Sequence, residues 1–198
     1  MDGAHVRAEG YGTLEVTVTC RVRGRGVDAV SELRRQLASA LCSDEPEKLV
    51  LPDEPAVYLM AYYEGGASLS RLHDLPQVQL KFLCPDPIAL GEHRVASIDG
   101  TSRVQVGGTY RTLPTVTASP PAGDSWQVTR VSTGEFVRVS APFDGTQEVV
   151  LDMAAQRCTV NGKDHRVDIE SDFFCLEGTE DVSVSAGAAT LEWDERWL

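Results

Sequence analysis

Leu14-Glu15-Val16-Thr17-Val18-Thr19-Cys20-Arg21-Val22-Arg23 alternates without a break, Leu14, Val16, Val18, Cys20 and Val22 facing one way and Glu15, Thr17, Thr19, Arg21 and Arg23 the other. A period of two with a single apolar face is the pattern of a half-buried antiparallel strand; a central parallel strand would be apolar on both faces. After Gly24-Arg25-Gly26, the residues Val27, Val30, Leu33, Leu37 and Leu41 recur at helical spacing, with Glu32, Arg34, Arg35 and Gln36 opposite, which predicts one amphipathic helix over about residues 27 to 42. Gly24-Arg25-Gly26-Val27-Asp28-Ala29 also has the G-x-G-x-x-A form of a dinucleotide-binding turn. The strand before it alternates and no further βαβ unit follows, so these glycines read as the turn that reverses the chain into the helix.

Pro46, Pro52 and Pro55 then break the chain into short extended pieces around Lys48 to Leu51, and Val57 to Tyr63 reads as a second strand ended by Gly65-Gly66. Val78, Leu80, Phe82 and Cys84 alternate with polar residues in a further strand that stops at Pro85-Asp86-Pro87. We place a boundary at about residues 87 to 93, dividing the chain into an α+β domain, 1–90, and a second domain, 91–198. Beyond it the helical period disappears. Short candidate strands (94–98, 102–106, 115–118, 126–131, 136–140, 147–151, 157–160, 182–185 and 190–194) are separated by turn pairs such as Asp99-Gly100, Asp144-Gly145, Asn161-Gly162 and Ala186-Gly187. That rhythm indicates an all-β sandwich. Asn161-Gly162 is the strongest hairpin signal, because a type I′ turn needs positive φ at both central residues.

Composition excludes several functions. Thirty acidic residues against 18 basic ones give a formal charge of −12, and the cations form no cluster, so a nucleic-acid backbone would be repelled. No apolar run approaches the roughly 18 to 20 residues of a membrane-spanning helix. The start, Met1-Asp2-Gly3-Ala4-His5, has neither the basic nor the apolar region of a secretory signal, and the five cysteines (20, 42, 84, 158, 175), with no C-x-x-C pair, read as free thiols, Cys20 and Cys84 as small core hydrophobes. No G-x-S-x-G elbow occurs, and His5, His73, His93 and His165 lie in polar, turn-like surroundings that suit solvated loop histidines. The carboxylate groups Asp44-Glu45, Asp53-Glu54, Glu180-Asp181 and Asp194-Glu195 lack the spacing of a calcium loop. Trp126, Trp193 and Trp197 are expected to pack in the core or an interface, with a sugar-stacking platform as the alternative. No catalytic, cofactor-binding or metal-ligating residue is therefore assigned, and the oligomer-interface residues stay unassigned.

The order of features resembles the distal tail proteins of long-tailed siphophages. In the first domain the resemblance rests on Asp2-Gly3-Ala4, the strand Leu14 to Val22, the helix, Asp53-Glu54-Pro55 before an aromatic strand, and Phe82-Leu83-Cys84-Pro85-Asp86-Pro87. In the second it rests on the run from Gly108 to Thr115, Leu151-Asp152, Asn161-Gly162, Asp172 to Gly178 and the closing Glu192-Trp193-Asp194-Glu195-Arg196-Trp197-Leu198. The resemblance implies a six-fold ring formed through the N-terminal domain, with a galectin-like sandwich projecting outward. It also implies a structural role with no cofactor, joining the tail tube protein to the tail-tip or baseplate proteins of a phage or prophage.

Family members begin with further strands ahead of the Asp-Gly segment, and here Met1 immediately precedes it, so the first N-terminal strands are expected to be lacking and an edge exposed. The location implied is the virion tail, assembled in the bacterial cytoplasm, with part of the negative charge lining the ring's channel. The competing readings are a carbohydrate-binding sandwich for attachment to a host-surface glycan and a small hydrolase built on convergent carboxylates.

Overall fold

The computed structural model of the 198-residue chain describes residues 11–21, 27–65, 69–70 and 77–198. The Asp2-Gly3-Ala4 segment, His5, the Gly24-Arg25-Gly26 turn and His73 lie outside the described residues. The chain divides into two compact units, Met1–Ala89 and Leu90–Leu198. Among the described residues the structure is mostly antiparallel β with one helix, and each unit has its own sheet.

In the first unit, β1 (Leu14–Arg21), β2 (Glu47–Leu49), β3 (Leu59–Gly65), β4 (Leu69–Ser70) and β5 (Gln77–Cys84) form a five-stranded sheet in the order β1-β5-β3-β2, with β4 on β5. β1 and β5 pair over their full length, Leu14 opposite Cys84 and Arg21 opposite Gln77. Because both strands alternate, this register sends Val16, Val18 and Cys20 to the same face as Leu80, Phe82 and Cys84. That face is the core: Leu59, Ala61, Leu80, Phe82 and Cys84 are buried, with Val16, Val18, Cys20, Leu49 and Tyr63 packed around them. Tyr63 and Phe82 face each other across the ladder with ring centroids 5.8 Å apart at 58°, a tilted aromatic pair.

The helix α1 (Val27–Leu41) covers this face through Leu37 and Leu41. Leu33, expected to be buried, is 40% exposed, and the side chains of Val27 and Val30 are outside the described set. The second strand begins at Leu59 rather than Val57, because the preceding segment is two consecutive turns: Glu54 N donates to Leu51 O at 3.1 Å and Val57 N to Glu54 O at 3.3 Å. Pro52 and Pro55 occupy the second position of each turn, where their fixed φ is preorganised.

In the second unit, β6 (Ala89–Gln105), β7 (Thr115–Ala118), β8 (Gly123–Arg130), β9 (Phe136–Phe143), β10 (Val149–Asp152), β11 (Arg157–Val160), β12 (Lys163–His165) and β13 (Thr179–Trp197) form one hydrogen-bonded sheet. Its order is β12-β11-β10-β7-β13-β8-β9, with β6 also on β13. β13 pairs with β8 through Val182–Val184 and with β7 through Ala189–Glu192. Two limbs therefore hang from one strand. Val116, Val149 and Leu151 from one limb and Trp126, Val128, Val137 and Val139 from the other belong to a single buried cluster, so the sheet curls over a shared core.

Two pairs of predicted strands prove to be one element each. Asp99-Gly100 falls within β6 and Ala186-Gly187 within β13, the latter where the partner strand changes from β8 to β7. Gly100 and Gly187 take φ of +63° and +69°, so the turn residues reshape a paired element instead of separating two. The Asn161-Gly162 hairpin forms as its chemistry requires. Asn161 and Gly162 have φ of 51° and 72°, and Val160 stands opposite Lys163. Asn161 further accepts from Glu148 N at 2.9 Å through its side chain and donates its own N–H to Glu148 O at 2.8 Å, tying the hairpin to the start of β10.

Gly162→Ala is expected to cost about 1–2 kcal/mol, the strain of a left-handed backbone, since open space surrounds that position. Gly108→Ala should cost clearly more, because φ is +73° and the added Cβ would stand 2.2 Å from Arg196 O. Urea midpoints of the two variants test this ordering; equal midpoints would contradict it.

Candidate assembly surfaces

Among the described residues the groups that carry chemistry are dispersed. His93 and His165 lie on β6 and at the end of β12, not in loops as expected. His93 Nδ1 stands 2.9 Å from Asp194 Oδ1 and His165 Nδ1 2.8 Å from Arg166 O. Among the described residues no three His, Cys, Asp or Glu side chains converge on a point where a metal could sit. All five cysteines are free; Cys84 and Cys158 are buried, and burial pushes the Cys158 thiol up to about 11, where it is inert. Trp126 and Trp193 are core residues whose indole N–H groups donate to Ala186 O at 3.0 Å and Val106 O at 2.8 Å. Trp197 is 38% exposed.

The acidic pairs on β13 are each spent on a partner. Asp181 takes both Arg103 nitrogens, Nε at 2.9 Å and Nη2 at 3.0 Å, and Arg94 Nε donates to the buried Glu195 at 2.9 Å. Glu180 is buried against an equally buried Arg130, which donates from Nε at 3.1 Å and from Nη2, while Ser132 Oγ donates to the second carboxylate oxygen at 2.5 Å. Glu135 and Glu177 approach the same guanidinium at 3.5 and 3.7 Å. Burial alone would push the Glu180 carboxyl up; the hydrogen bonds from Arg130 and Ser132 outweigh it and hold the group below its ordinary value. Sequence reasoning missed this pair, since Glu180-Asp181 reads as another solvated acidic pair and Arg130 as the end of an alternating strand.

What remains is surface. β1 is the terminal strand of its sheet, eight residues long, without proline or bulge, and no strand pairs with its outer edge among the described residues. Its inward face is only half-buried, and Leu14 is exposed, as are Tyr11, Val50 and Tyr62 in the same unit. An uninterrupted edge of this kind presents unpaired backbone groups that another strand can complete. The charge is uneven: residues 1–89 hold 13 acidic against 9 basic residues, net −4, and residues 90–198 hold 17 against 9, net −8.

Among the described residues, dispersed polar groups, an unpaired strand edge and exposed apolar residues on an antiparallel two-unit scaffold fit the class of structural assembly proteins. The comparisons agree with that class. Residues 1–84 match the phage tail protein RIFT-related domain and residues 107–197 the C-terminal domain of the siphovirus-type tail component. The fold is that of the crystal structure of the SPP1 Dit protein, described as a paradigm of the hub adsorption apparatus of phages infecting Gram-positive bacteria. The TM-score is 0.83 at 19% identity, and the likeness covers 100% of this chain and 84% of that one. No curated protein matches. The chain belongs to the siphophage distal tail proteins, structural components of the phage tail.

Removing one partner of the buried pair, by Arg130→Met or Glu180→Gln, should destabilise the protein by about 3–5 kcal/mol in denaturant titrations. Because the folded carboxyl is held below its ordinary 4.5, its stabilisation is complete above that pH and is lost as pH falls through the lowered value. The loss of stability below pH 4.5 should consequently be shallower in Glu180→Gln than in the parent; identical acid limbs would show that the pair does not couple to folding.

Proposed function

We propose that this chain is the hub that closes the siphophage tail tube and joins it to the tail-tip or baseplate proteins, as a six-fold ring formed through the first unit. The observation that carries the reading is the edge of β1, unpaired among the described residues, beside a half-covered apolar face: a surface that a neighbouring copy would complete. In a closed ring each copy offers one surface and receives the other, so the edge strand is covered in every copy. The galectin-like sandwich then projects outward, towards the proteins that meet the host. The role requires no catalytic step and no cofactor, and assembly takes place in the bacterial cytoplasm before the tail is complete.

A channel wall built from the first unit would draw on a net −4 rather than on most of the −12, and would still disfavour adhesion of passing DNA. The glycan-binding alternative loses most of its support, since Trp126 and Trp193 are core residues.

Light scattering across a concentration series tests the ring: six copies of the 21.5 kDa chain give about 129 kDa. A mass fixed at 21.5 kDa at every concentration counts against ring formation by this chain. Thr17→Pro and Val18→Pro locate the interface, because successive N–H groups of a strand point to opposite edges. The variant whose N–H faces away from β5 should keep its thermal midpoint and lose the ring; the other should lose both.

A further inference from the structure

The turn Asp168-Ile169-Glu170-Ser171 lies outside every role considered above. It is held on all sides: Asp168 N donates to Arg138 O at 2.9 Å, Ser171 N closes the turn on Asp168 O at 3.0 Å, and Asp172 N donates to Phe136 O at 2.8 Å. Ser140 Oγ donates to Asp168 Oδ2 at 3.0 Å and Arg138 N to Ser171 Oγ at 3.0 Å. Val167 and Phe173, on either flank, pack against the core of the second unit. The segment is thus tied to the outer edge of β9 at Phe136, Arg138 and Ser140 and closed on itself by the turn bond.

At its tip Ile169 is 101% exposed. A single exposed apolar residue is common on protein surfaces, but this setting is not. The second position of a turn favours proline or small polar residues, and a β-branched side chain there gains nothing from the folded monomer. Between Asp168 and Asp172 the segment carries three carboxylates and no cation.

We infer that Ile169 is a preorganised knob by which the second unit docks onto another tail protein, in an apolar socket rimmed by Lys or Arg. Because the turn is already fixed, docking costs little ordering, and the buried isoleucine contributes its full transfer free energy. The flanking carboxylates steer and orient the encounter, and they disfavour a second copy of the same acidic turn as the occupant. This rests on the chain's place in a tail, and its test is separable from that of the ring.

A photo-reactive amino acid placed at position 169 in assembled tails, and in parallel at Thr17 on β1, reads the two surfaces independently. The expected result is an adduct from 169 to a different tail protein, at apolar residues adjoining Lys or Arg, and an adduct from 17 to another copy of this chain. Ile169→Asp should weaken incorporation of that partner about tenfold or more while Ile169→Leu retains it. Neither variant should move the thermal midpoint, the side chain having no intramolecular contact to lose. An adduct from 17 with none from 169, or full partner incorporation by Ile169→Asp, overturns the docking proposal and leaves the ring intact. Adducts from 169 without any from 17 support docking and count against the β1 interface.

Discussion

The second unit depends on one strand. β13 is the partner of β6, β7 and β8, so both limbs of the curled sheet are anchored to the last nineteen-residue element of the chain. Until it is in place, Val116 and Leu151 on one side and Val128 and Val139 on the other have no common core to enter. Its contacts with β7 and β8 reach across some fifty to eighty positions of sequence, so loop-closure entropy is met before the apolar burial that offsets it. Docking of β13 converts two incomplete hairpin layers into a closed core, and its sequence reflects this: Val182, Val184, Ala189, Leu191 and Trp193 are all buried.

The same strand carries the polar contacts that select its register. Glu180 near its start meets Arg130, and Glu195 near its end meets Arg94. A slip of one residue would turn Val182 and Leu191 outward and leave Arg130 buried without a carboxylate, a cost far larger than the net worth of the pair in place. The pair is thus better understood as a penalty on wrong registers than as a store of stability. Gly107 and Gly108 serve the same end at the far terminus, where a Cβ would collide with Glu195 and with the Arg196 backbone.

Local physics made part of this legible. Strict alternation announced β1 and β5, helical spacing announced α1, and the need for positive φ at Asn161 and Gly162 announced the hairpin that ties β11 to β12. What could not be read was long-range. Asp99-Gly100 and Ala186-Gly187 satisfy the same local rules as Asn161-Gly162, and only the pairing partners reveal that they lie inside β6 and β13. Arg130 and Glu180 stand fifty residues apart, and nothing local distinguishes a buried arginine from one on a polar face. Leu33 shows the converse: a residue in phase with a buried stripe stays exposed, which spacing along the helix could not announce.

The cores of the two units differ in how far their described residues enclose them. In the second, the described strands enclose a continuous cluster, and residues 168–172 bond to the edge of β9 at Phe136, Arg138 and Ser140. In the first, five residues form the buried cluster described, and the apolar side of β1 stays half-covered beside an edge that no described strand pairs with. Natural sheets usually blunt such an edge with proline, a bulge or an inward charge; β1 has none of these, its Glu15 and Arg21 lying on the outward face. Unpaired over eight residues among the described part of the chain, such an edge is a liability in a free monomer that a further strand laid along it would remove.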